Sequence, residues 1–184
     1  MSISVDIKRV VLTAMVCFVT AILPLFISTA EVFYAFSVPI LFSLAILLTS
    51  FDRIITKRKY QALVLGALLT VILFFISVSA GLFLGQSFLG QYSAYVVCLI
   101  SGLMALLINS IFIQIDNIKL GILVTGLLAL TIPSMTIFMK GYKIFGIEFF
   151  GDIATFFIIW QTMIGLGIAI SVWTKTGISK AIKE

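Results

Sequence analysis

The chain has 184 residues, of which 62% are hydrophobic and only 10% are charged. A soluble domain averages about 45–50% apolar and about 25% charged residues. With a mean hydropathy of +1.29, the composition excludes a soluble globular domain, a disordered chain and a disulfide-framed secreted scaffold, so the net charge of +5 bears on membrane topology rather than on nucleic acid.

In chain order, six uncharged stretches carry the pattern: residues 10–27, 32–51, 60–84, 92–113, 120–139 and 153–173. A helix needs about 20 apolar residues to cross about 30 Å of hydrocarbon. Within lipid the backbone must satisfy its own hydrogen bonds, so each stretch predicts a helix. The first follows Lys8 and Arg9 and ends before Ser28-Thr29-Ala30. It is longer than a signal-peptide apolar region of about 7–15 residues and reads as a transmembrane helix. The second follows Glu31 and contains Pro39. Residues 52–59 then place four positive charges in one short loop. Small residues Ser77, Gly81 and Gly85 run along the third stretch, and Tyr92, Tyr95, Cys98 and Asn109 along the fourth. Pro133 interrupts the fifth, between Thr131 and Ser134. The longest connection, KGYKIFGIEFFGD at 140–152, precedes a sixth stretch that holds Trp160 and Gln161.

Lysine and arginine positions predict the orientation. Lys8, Arg9, Arg53, Lys57, Arg58, Lys59, Lys119, Lys175, Lys180 and Lys183 fall on one side, and only Lys140 and Lys143 on the other. The expected fold is an all-α integral membrane protein. It is a compact bundle of six transmembrane helices in a single domain over residues 1–184, with both termini inside. The expected setting is a prokaryotic cell (inner) membrane.

No Asp, Glu, Lys, Arg or His lies within any of the six stretches. Such residues mark proton relays, ion sites and voltage sensors, and general acid–base catalysis needs a titratable group near the substrate. The chain is therefore expected to be non-enzymatic and to lack an internal proton path. It has no histidine, and Cys17 and Cys98 belong to no CxxC pair, so neither a metal nor a cofactor is expected.

The polar and aromatic residues that remain suggest a ligand site. Gln161 and Trp160 lie about 12 Å below the outer end of the sixth stretch, at 1.5 Å per residue. Trp160 offers a stacking face, Gln161 a donor and an acceptor, and Tyr95 a hydroxyl. Glu31 and Asp152 would select charge at the mouth. The expected cavity lies between helices 4, 5 and 6, under a roof formed by residues 140–152. The rival role for Gln161 is to tie two helices together.

Small residues at four-residue spacing mark close helix contacts, either within the bundle or with another subunit. These are Thr13, Cys17 and Ala21; Ser77, Gly81 and Gly85; and Gly165 with Ala169. In size and six-helix plan the chain is similar to the substrate-binding components of energy-coupling vitamin transporters. That resemblance implies that the Thr13/Cys17/Ala21 stripe faces a partner subunit, although the family's alanine pair is not matched. The chain also resembles six-helix membrane subunits of ion-pumping redox complexes, which carry cysteines in helices 1 and 4. Here, however, MVCFV and VVCLI surround the cysteines with purely apolar residues.

The expected function is a transport component that binds a small uncharged or amphiphilic solute from the outer side and relies on partner subunits for energy. The alternative is an accessory or structural subunit of a larger membrane complex, including assembly or immunity roles, with no ligand of its own.

Overall fold

A computed structural model describes residues 3–27, 31–86, 90–139 and 152–176. Among these residues the chain is all-helical apart from two three-residue strands, β1 (Ile3–Val5) and β2 (Thr174–Thr176). The helices are α1 (Ile7–Ile27), α2 (Glu31–Thr49), α3 (Lys59–Gly85), α4 (Ser93–Phe112), α5 (Ile118–Met139) and α6 (Asp152–Trp173). Each begins and ends within three residues of an uncharged stretch. Five are long and apolar enough to cross a membrane, and the helix α2 offers the shorter apolar stretch Phe36–Thr49.

The helices form a ring in sequence order, closed by contact between α1 and α6. Helices α2, α4 and α6 also touch one another, so the even-numbered helices make the inner layer. Over an 18-residue stretch, 44% of α6 is buried but only 22% of α3, which makes α6 central and α3 peripheral. Phe42, Ile46, Leu106, Ile132, Ile164 and Ile168 fill the core with almost no exposure.

Glycines on α5 and α6 allow close helix approach. A Cβ at Gly165 would stand 2.5 Å from Cys17 Sγ, and one at Gly167 would stand 2.9 Å from Thr125 Cα. A Cβ at Gly121 would meet Ser171 Cβ at 2.5 Å. Thus α6 sits close against both α1 and α5, where lipid supplies no hydrophobic drive and van der Waals packing must hold the helices together.

The end of the bundle that carries β1 and β2, here the basal end, is tightly tied. Strand β1 pairs antiparallel with β2, Ile3 opposite Thr176. The α2–α3 and α4–α5 connections pair through Ile54 and Ile113. Arg53 Nη1 donates to Asp116 Oδ2 at 2.7 Å and to the Val172 carbonyl at 3.1 Å. Its guanidinium also lies 4.6 Å from the Trp173 ring centre, and Arg9 lies 5.0 Å from that ring. Asp6 and Asn117 accept backbone hydrogen bonds from Arg9 and Leu120, the third residues of α1 and α5. These are N-cap bonds that satisfy donors the helix cannot.

Candidate functional site

The opposite, distal half of the bundle holds an apolar cavity of about 240 Å³ between α2, α3, α4 and α6. Helix α3 packs on α2 and α4, and the cavity fills the space between it and α6. Thr70, Leu73, Ser101 and Trp160 form the deep end. Ser77 lies level with Ser101, since Gly81 meets Val97 and Gly85 meets Ser93 between α3 and α4; Phe74, Phe156 and Phe157 complete the wall, with Val38 and Pro39 of α2 on one side. Gly81, Ser93 and Ala94 surround the distal end. From Ser93 to Ser101 the cavity runs about 12 Å along α4, at 1.5 Å per residue.

The aromatic wall is held from behind. Trp160 donates through Nε1 to Ser101 Oγ at 3.2 Å, and Phe42 packs on it with ring centres 5.1 Å apart. Phe74 of α3 reaches Phe157 of α6 at 5.1 Å, and Phe157 stands edge-on to Phe156. These contacts set the ring orientations in advance, so a ligand need not order them on binding. Among the described residues no charged side chain lines the cavity. Small-molecule pockets run to about 300–1,000 Å³, so this volume suits a small solute.

The residues named from the sequence divide between this cavity and other places. Trp160 lines the cavity. Gln161 is fully buried and faces α1, where Nε2 donates to Thr20 Oγ1 at 2.9 Å; among the described residues Oε1 has no partner. Tyr95 faces α5, with its hydroxyl 2.9 Å from Ser134 Oγ. Glu31 and Asp152 begin α2 and α6, and their side chains lie outside the described residues, as do positions 140–151. The cavity therefore has α2 and α3 as walls in addition to α4 and α6, and α5 contributes none of the described lining residues.

The small-residue stripes divide in the same way. Thr13, Cys17 and Ala21 are buried, with Cys17 against Gly165 on α6. Ala169 is buried one turn further along α6. Ser77 and Gly81 instead line the cavity, and Gly85 is exposed near Ser93. A Cβ at Gly81 would touch only the Val97 side chain, at 3.8 Å, which is ordinary van der Waals distance. Sequence reading did not single out Phe74, Phe156 and Phe157 or the pairing of Ser101 with Trp160. In an apolar chain with 17 phenylalanines, nothing in the sequence distinguishes those that face a cavity.

Among the described residues, no group of three Cys, Asp or Glu side chains gathers as a metal ion would require. The chain matches no protein-family model, no curated protein and no solved structure.

Proposed function

We infer that the protein is a six-span membrane protein, with both termini inside, whose distal cavity binds a small uncharged or amphiphilic solute from the outer side. The observation that carries this reading is the cavity itself. It is apolar, walled by pre-set aromatic rings and placed in the half of the bundle away from the basic loops. The ten-to-two bias of basic residues supports the orientation, because lysine and arginine are retained on the inner side. The absence of Asp, Glu, Lys, Arg and His from the uncharged stretches supports an energy input from partner subunits rather than from an internal proton path. The second reading is an accessory subunit without a ligand. Thr13, Cys17 and Ala21 are buried within the bundle, Cys17 against Gly165 of α6, so this stripe supports neither that reading nor the partner contact that the transporter resemblance implies.

Native mass spectrometry of the protein released from mild detergent tests this reading. Wild type is expected to carry a bound small molecule of defined mass. Gly81→Leu, which has room to fold and projects a four-carbon side chain into the cavity, is expected to have lost it. Equal loading of the two proteins, or no load on either, would favour the accessory-subunit reading.

A further inference from the structure

The Ser77 hydroxyl differs from the others at the deep end of the cavity. Thr70 donates to the Gly66 carbonyl at 2.8 Å and Ser101 to the Cys98 carbonyl at 3.2 Å, so each spends its hydrogen on its own helix. Ser77 lines the same cavity and makes no hydrogen bond among the described residues. A Cβ at Gly81 would touch Val97, and one at Gly85 would touch Ser93. One turn further in, Ser77 of α3 therefore stands level with Ser101 of α4. Ser101 Oγ accepts the Trp160 indole hydrogen at 3.2 Å, which takes one of the two lone pairs a hydroxyl carries. This level of the cavity thus offers an uncommitted O–H on Ser77 and an uncommitted lone pair on Ser101, within a wall that includes Leu73, Phe74 and Phe157. An unpaired donor in apolar surroundings is costly. A ligand group that accepts from Ser77 and donates to Ser101 removes that cost. A hydroxyl meets both demands, whereas an ether oxygen meets only the first and a hydrocarbon neither.

We propose that the cavity selects apolar solutes that carry a hydroxyl, and that this hydroxyl seats between Ser77 and Ser101, beside the Trp160 indole. This rests on the reading of the cavity as a ligand site and adds the ligand's chemical class and the residue, Ser77, that selects it. Ser93 also lines the cavity, but it lies two turns nearer the distal end, about 12 Å from Ser77 at 1.5 Å per residue. It is too far away to share the same group and provides the control.

Brominated probes test the seat of the hydroxyl, because bromine quenches indole fluorescence only at contact. Trp160 lines the cavity, while the other tryptophan, Trp173, is buried at the basal end. The protein is solubilised in a detergent that carries no hydroxyl. Quenching by 2-bromohexan-1-ol, whose bromine is next to the hydroxyl, is expected to saturate, whereas simple partitioning into detergent would rise linearly. At saturation it is expected to quench more deeply than 6-bromohexan-1-ol, whose bromine is at the far end. In Ser77→Ala both alcohols are expected to bind about tenfold more weakly, as for the loss of a hydrogen bond, and 1-bromohexane is expected to bind as it does to wild type. Ser93→Ala is expected to leave all three probes unchanged, and Gly81→Leu to abolish saturable quenching by each. Deeper quenching by 6-bromohexan-1-ol, unchanged alcohol binding in Ser77→Ala, equal weakening of alcohol and bromoalkane there, or the tenfold loss appearing in Ser93→Ala instead, would overturn the proposed class and seat while leaving the ligand site standing. No saturable quenching by any probe, or saturable quenching that survives Gly81→Leu, would overturn the reading of the cavity as a ligand site as well.

Discussion

Gly167→Leu is expected to separate α5 from α6 and to destabilise the protein by about 3 kcal/mol or more, at or above the upper end of the cost of overpacking a core. The atom a Cβ would meet at 2.9 Å is Thr125 Cα, which is backbone and cannot rotate away. The Thr125 side chain gives no relief, since its Oγ1 would lie 2.6 Å from the same Cβ. Helix α6 is the central helix, so moving it off α5 also disturbs its contacts with α1, α2 and α4. Reversible unfolding in mixed detergent measures the effect. Gly126→Ala on α5 is the control, because its Cβ would meet only Leu99 and Leu103 side chains, at 3.5 Å and 3.9 Å. A Gly167→Leu protein as stable as wild type would show that α5 and α6 do not approach this closely.

Arg53→Ala is expected to cost about 3 kcal/mol, the lower end of the range for breaking a buried ion pair by removing one partner. The lower end applies because the Arg53 and Asp116 side chains keep 15% and 20% of their surface exposed. The substitution leaves Asp116 without its cation, removes a donor from the Val172 carbonyl and uncovers one face of Trp173. The Arg53→Ala, Asp116→Ala double variant is expected to be less unstable than the sum of the single variants, because neighbouring groups in one network couple by about 0.5–3 kcal/mol. Arg9→Ala is the contrasting case. Its pair with Asp52 is 3.9 Å long, with side chains 44% and 56% exposed, and such a surface pair is worth at most about 1 kcal/mol. Equal losses from Arg53→Ala and Arg9→Ala in the same unfolding assay would contradict this division of the basal end.

The helix boundaries were legible in the sequence because lipid tolerates only apolar runs and charged residues mark where the runs stop. The direction each helix faces was not legible. The helices are apolar on every side, so periodicity does not separate a lipid face from a packed one. Trp160 and Gln161 are neighbours in sequence but are about 100° apart around a helix with 3.6 residues per turn. One lines the cavity while the other faces α1. Tyr95 and Ala94 divide in the same way, towards α5 and the cavity respectively. The basal clamp was hidden for a different reason. Arg53 and Asp116 are 63 residues apart, and the β1–β2 pair joins the two ends of the described chain. Nothing local in Ile3–Val5 or Thr174–Thr176 reads as a strand, since each is three residues long and gains its hydrogen bonds only from the other.

In the proposed function the cavity opens on the side of the membrane opposite the basic loops. Labelling of single introduced cysteines with a membrane-impermeant maleimide in intact cells tests it most directly. Cys17 and Cys98 are buried and form a silent background. Ser93→Cys, at the distal end of the cavity, is expected to label in intact cells. Ile55→Cys, exposed on the basal end, is expected to label only after permeabilisation. Labelling of Ile55→Cys but not Ser93→Cys in intact cells would contradict the account.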